Sequence, residues 1–143
     1  MLLRKLNLAV LFVGVLGLFQ TACSGTRVGD YSVESYNQNP LSVAIPEDVD
    51  NAGAIKAAES VLIARRWVVI DKGDDHITGK LRHRRFDATV NIKVEERHLV
   101  LYSDSLYQDR ETNEMTPAVP YGWLKYLQED IQKSIPYQAL RSG

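Results

Sequence analysis

Three histidines, one cysteine, a pair of serines and a run of arginines are the residues whose types could carry chemistry, and their spacing decides what chemistry that would be. His76, His83 and His98 fall near three different strand ends, and no pair has the four-residue helical spacing that builds a zinc site. Cys23 is the only cysteine, so no set of thiolates can join them. Asp74-Asp75-His76 offers donors to a cation but has the composition of a solvated hairpin turn. Ser103-Asp104-Ser105 follows a strand, as a hydrolase nucleophile would, yet it lacks the glycine-flanked elbow and a placed histidine. Gly79-Lys80 has no glycine-rich loop upstream, hence no phosphate cradle. The expectation is a chain with no catalytic residues, no metal site and no cofactor, and thus not an enzyme.

Two features remain as candidate binding surface. Lys80, Arg82, His83, Arg84 and Arg85 form a basic cluster at a hairpin, where period two places Lys80, Arg82 and Arg84 on one sheet face. Clustered arginines pair bidentately with phosphate or carboxylate, although Asp87, Glu95 and Glu96 also suit an ordinary solvated face. The second feature is aromatic: Tyr102, Tyr107, Tyr121, Trp123 and Tyr126 bracket the last loop and the start of the final helix. Tyrosine and tryptophan are enriched at protein contact sites and equally at home at the edge of a core, with Trp123 expected to be buried.

The amino terminus is an address. Arg4 and Lys5 precede a run from Leu8 to Phe19 in which every residue is apolar or glycine. At about 1.5 Å per residue the run spans roughly 18 Å, short of the roughly 30 Å that a membrane-spanning helix must cross. A secretory signal peptide over residues 1–22 is expected instead. Gln20-Thr21-Ala22-Cys23 resembles the lipobox of bacterial lipoproteins, whose pattern prefers leucine where this chain has Gln20. An exported chain lives where disulfides form, and a lone thiol is a liability there; lipidation at Cys23 would consume it. The resemblance implies two or three acyl chains, enough for stable anchoring where one is marginal. Ser24, in place of aspartate, favours the outer membrane, periplasmic face, over the inner membrane. Removing the leader leaves 15 basic against 18 acidic residues, a net charge of about −3, which does not point to nucleic acid.

From Cys23 to Pro40 the chain is polar and rich in turn formers, the composition of a tether. About 100 residues follow, one core's worth. Leu41 to Ile45 alternates as a short edge strand would. From Asp50 or Asn51, either a plausible N-cap, Ile55, Ala58, Val61 and Leu62 mark one face of a helix ending near Arg65 or Arg66. Strands are expected at Trp67–Asp71, around Ile77–Leu81, around Ala88–Val94 and at His98–Ser103, with turns between them. In the last of these the inward set is either Val100 and Tyr102 or Leu99 and Leu101. A polar excursion from Asp104 to Thr116 leads to a helix carrying Trp123, Leu124, Leu127, Ile131 and Ile135, ended by Pro136. The whole predicts an α+β domain over 41–143: a four-stranded antiparallel meander with two helices packed on one face.

Arg66-Trp67, His76-Ile-Thr-Gly-Lys-Leu81, Ala88-Thr-Val-Asn-Ile92, Leu101-Tyr-Ser-Asp-Ser105 and Trp123-Leu-Lys-Tyr-Leu-Gln-Glu-Asp-Ile131, in that order, resemble a family of small proteobacterial envelope lipoproteins. Their topology is similar to the helix-grip domains of a lipoprotein of the β-barrel assembly machinery, a likeness of fold that warrants little about function. The resemblance supplies no reaction. It implies a non-catalytic envelope module. The anchor, the tether and the lack of catalytic sets point to another envelope protein as partner, bound through the exposed sheet face or the loop from Asp104 to Thr116. The arginine cluster points to the alternative, an anionic envelope lipid or glycan such as lipopolysaccharide or peptidoglycan.

Overall fold

The computed structural model describes residues 32–141, so the signal peptide, Cys23 and the first part of the expected tether lie outside the described residues. The elements run α1 (Val33–Gln38), β1 (Leu41–Ala44), α2 (Asn51–Ala64), β2 (Val68–Lys72), β3 (His76–His83), β4 (Phe86–Glu95), β5 (His98–Ser103), β6 (Leu106–Gln108), β7 (Met115–Pro117), α3 (Tyr121–Ser134) and α4 (Pro136–Arg141). The fold is α+β with an antiparallel sheet. It has seven strands rather than four: the main path is β1-β5-β4-β3-β2, and β6 and β7 extend it where β6 pairs with Phe86 and Asp87 of β4.

Alternation in β3 and β4 sets the layers. Ile77 faces Ile92, Gly79 faces Val90 and Leu81 faces Ala88 across the two strands, and this set lies on the core side. In β5 the core side takes Leu99 and Leu101, both fully buried, which settles the ambiguous register. Burying each such side chain contributes about 1.5–3 kcal/mol. The helices cover this face through Ile55, Ala58, Val61 and Leu62 of α2 and Leu124, Leu127 and Ile131 of α3. The approach of α2 is close enough that a Cβ on Gly79 would stand 3.0 Å from Leu62 Cδ2.

Helix α2 is closed at both ends by local chemistry. The Asp50 carboxylate accepts the Gly53 N–H at 2.7 Å. At the other end Trp67 N–H reaches Leu62 O and Arg66 N–H reaches Ile63 O, a Schellman pair with Arg66 in the left-handed position, φ 66°.

Two expectations need correction. The tether does not run to Pro40: from Ser32 the chain is folded, because Tyr36 and Asn37 of α1 complete the edge of β5. Tyr36 donates its hydroxyl to Leu101 O at 2.7 Å and accepts Leu41 N–H at 3.2 Å, and its burial pushes the phenol up to about 12. The Asn37 amide donates to Ser103 O and accepts from Ser103 N–H, both at 2.9 Å, which continues the ladder past the end of β1. The second correction is at Pro136, which opens α4 as well as following α3. Proline fits the first turn of a helix, where its missing N–H has no partner to lose.

The meander gives the domain two unlike ends. The β3–β4 turn and the α2–β2 junction place Arg84, Arg85 and Arg66 at one end. The β2–β3 and β4–β5 turns place Asp74, Asp75, Glu95 and Glu96 at the other.

Candidate binding surface

The basic cluster is divided by its own hairpin. His83 and Phe86 are the last pair of β3 and β4, so Arg84 and Arg85 form a two-residue turn, with φ 47° and 69°. Positive φ at both central residues is the type I′ requirement that Asn-Gly meets most easily; a non-glycine residue there costs about 1–2 kcal/mol. Arg84 is therefore not on the strand face with Lys80 and Arg82, because period two stops at the turn. Lys80 and Arg82 lie on the open face and share Asp87, at 3.7 Å and 3.3 Å. Arg85 donates to the Asp109 carbonyl at 3.3 Å. No ion pair among the described residues closes on Arg84 or Arg85.

Beside this turn a small cleft of ≈ 230 Å³ opens between the sheet and the helices, lined by Arg65, Trp67, Leu81, His83, Trp123, Tyr126 and Leu127. Trp67 forms its buried wall. Trp123 is half-buried, not buried as expected: its indole packs edge-on against Phe86 at 5.3 Å and tilts toward the His83 ring at 5.9 Å. Arg65 forms the rim, its Nε 2.6 Å from Asp130 and its guanidinium 5.1 Å from the centre of the Tyr126 ring. The hydrogen bond that Arg65 donates to Asp130 raises the guanidinium's pKa above its ordinary value. The sequence marks Trp67 only as the start of a strand, and nothing local joins it to Trp123. Only packing of the α2–β2 junction on α3 brings those residues together.

The aromatic set does not form one surface either. Tyr107 packs on Phe86 at 5.0 Å on the helix-covered side, and Tyr121 meets Tyr36 edge-on at 6.3 Å. Tyr102 is on the open face, where it donates to Glu95 Oε2 at 2.7 Å under the Lys93 ammonium. That carboxylate raises the phenol's pKa. The excursion from Asp104 to Thr116 is largely the β6–β7 hairpin. Its tip is held by Asp109, whose carboxylate accepts the N–H groups of Thr112 and Glu111 and is lowered in pKa by them.

The groups that suggested catalysis are occupied structurally. Ser103 and Ser105 are buried and bonded to each other at 3.0 Å, while His98 is at the opposite end of β5 on the open face. His76 sits between Asp75, at 2.9 Å, and Asp71, at 3.1 Å, and a Cβ on Gly73 would collide with its ring. The Asp75 hydrogen bond foremost raises the imidazole's pKa, and Asp75 is lowered in return. Among the described residues no three His, Cys, Asp or Glu side chains converge as a metal site would require, and no helix is long and apolar enough to cross a membrane.

No family matches. Comparison with protein-family models, curated proteins and solved structures returns no similarity to this chain.

Proposed function

We propose that this chain is a lipid-anchored protein of the bacterial envelope, held at the periplasmic face of the outer membrane through Cys23, whose folded domain is a non-catalytic binding module. Its framework is the four-stranded meander β2 to β5 with α2 and α3 on one face; β1, β6 and β7 are additions to it. The leader and its lipobox-like end support the anchor.

One observation carries the binding role: an aromatic cleft with an arginine rim lies beside a turn whose two arginines occupy left-handed backbone. The Glu96–Arg97 turn has the same left-handed pair, but there Arg97 is bound to Pro46 O and Val49 O. Arg84 and Arg85 instead stand exposed beside the cleft, and we read their strain as kept for function. The open sheet face is a weaker candidate, because its charges already compensate one another: Lys80 and Arg82 on Asp87, Lys93 over Tyr102, and Tyr102 on Glu95. The partner favoured is another envelope protein that inserts an apolar side chain into the cleft. Photo-crosslinking residues at His83 and Tyr126, compared in cells with one at Leu140, test this. Adducts confined to the cleft positions are expected, and equal labelling at all three would discard it.

The exposed Arg84–Arg85 pair favours a second reading, an anion-binding module for lipopolysaccharide or peptidoglycan. Neither closes an ion pair among the described residues, although Arg85 lies near the Asp109 carboxylate, and exposed guanidinium groups of this kind are available to phosphate or carboxylate. Reversing Arg82, Arg84 and Arg85 to glutamate should then abolish a salt-sensitive pull-down on those materials, and undiminished binding would exclude the idea.

A further inference from the structure

The main path of the sheet ends on β1 and on β2, and these two edges are treated differently. At β1 the Gln128 amide donates to Ser42 O at 2.8 Å, and Tyr36 takes the Leu41 N–H. At β2 the only strand partner among the described residues is β3, and no side chain among them hydrogen-bonds to its outer backbone. That edge is also apolar. Val68 is 64% exposed and Ile70 55% exposed on the strand itself. Ile63, 60% exposed, lies one turn beyond Glu59 on α2, and Glu59 reaches Lys72 of β2, so Ile63 is on the same flank. Single exposed aliphatics are ordinary, but here two lie on an unpaired edge strand, Val68 toward the open face beside Lys80, with Ile63 on the helix layer at the other side. An edge of that kind suits addition of another strand.

Charge identifies the occupant. Arg66 stands at the start of the strand and Asp74 just past its end, four residues on either side of Ile70, and neither makes an ion pair among the described residues. Paired in parallel, two copies of this edge would set Arg66 against Arg66 and Asp74 against Asp74. Paired antiparallel about Ile70, each Arg66 end meets the other copy's Asp74 end. In such a two-fold contact every favourable pair occurs twice. The register shift between Val69 and Asp71 falls at this midpoint, so ladder pairing is expected on either side of Ile70 and not at it.

We infer that the edge strand β2 pairs antiparallel with β2 of a second copy of this chain, joining two sheets into one. The contact does not use the aromatic cleft or the lipid anchor and stands independently of the proposed function.

The test is a cysteine at the two-fold position. Ile70→Cys in the chain with Cys23→Ser, purified and oxidised, should give a disulfide dimer on a non-reducing gel. Leu140→Cys, at a site 78% exposed on α4, serves as control. The dimer band should be at least about tenfold stronger for Ile70→Cys. Adding Arg66→Asp to that variant should weaken the band about threefold to tenfold, the range of two exposed ion pairs, and adding Asp74→Arg as well should restore it. Protease resistance of each variant reports that the fold is kept. Equal bands at residues 70 and 140, or indifference to the charge reversal, would overturn the proposal.

Discussion

Ser105 completes the sheet ladder opposite Thr89. Asp104 N–H donates to Thr89 O at 3.0 Å as an antiparallel pair should, but the return bond from Thr89 N–H goes to the Ser105 hydroxyl, also at 3.0 Å. Ser105 donates onward to Thr89 O at 3.3 Å, which leaves Ser103 as the donor in the buried serine pair. One hydroxyl thus bridges the join between β5 and β6.

Ser105→Ala should therefore act on stability. It strips the Thr89 N–H and the Ser103 hydroxyl of their acceptor, and an unmet buried polar group costs about 1–3 kcal/mol. For a domain of this size that lowers the melting temperature by roughly 4–8 °C per kcal/mol. Thermal unfolding monitored by circular dichroism checks it. A melting temperature unchanged from wild type would show that the hydroxyl is not needed for the ladder.

Arg97 does comparable work at the opposite end. Its Nη2 donates to Pro46 O at 2.6 Å and Val49 O at 2.7 Å, and its Nη1 to Asn51 Oδ1 at 3.3 Å. The planar fork holds the β1–α2 connection against the Glu96–Arg97 turn, itself left-handed at φ 45° and 62°. Arg97→Lys keeps the charge but has no fork. It should recover little of the loss from Arg97→Ala, which we expect at about 1–2 kcal/mol by urea unfolding. Full recovery by lysine would assign the effect to charge rather than to hydrogen-bond geometry.

These two residues show what the sequence could and could not reveal. Strands β3 and β4 were legible because buried and open positions alternate without interruption from Ile77 to Leu81 and from Ala88 to Val94. In β5 both alternating sets are apolar or aromatic, and only pairing with Val94 and Ile92 selects Leu99 and Leu101. Strands β6 and β7 are three residues each, too short for a period to show. Helix α1 buries a single side chain, Tyr36, so it left no apolar stripe to read. Period two puts Lys80 and Arg82 on a shared face but does not carry to Arg84, because the chain reverses there. Trp67 and Trp123 come from distant segments, and nothing local to either predicts that they line one cleft.

His76 should titrate above its ordinary value of 6.5, because the carboxylates of Asp75 and Asp71 hold its proton. A histidine raised on folding contributes stability that is fully present below its unfolded pKa and lost as pH rises through the folded value. Stability of the native chain relative to His76→Gln should thus be greatest below about pH 6.5 and decline above it. The ring is solvent-accessible, so the difference should also shrink in high salt. Proton NMR of the imidazole gives the pKa directly, and a midpoint below 6.5 would contradict the two-carboxylate geometry.

Arg84 and Arg85 allow stability and binding to be separated. The double substitution Arg84→Asn with Arg85→Gly would give the type I′ turn the residues that fit positive φ best, at the expense of one 3.3 Å bond from Arg85 to Asp109 O. Relief of left-handed strain at two residues should raise stability by about 1–3 kcal/mol, seen as a higher denaturation midpoint in urea. If the arginines bind an anion, the same double variant should lose the salt-sensitive pull-down while being the more stable protein. Opposite movement of the two measurements is the signature of strain retained for function. A variant that is more stable and binds undiminished would leave the arginines no role in recognition and the aromatic cleft as the remaining site. One that is less stable would show that the hairpin depends on the Arg85 contact more than on its backbone.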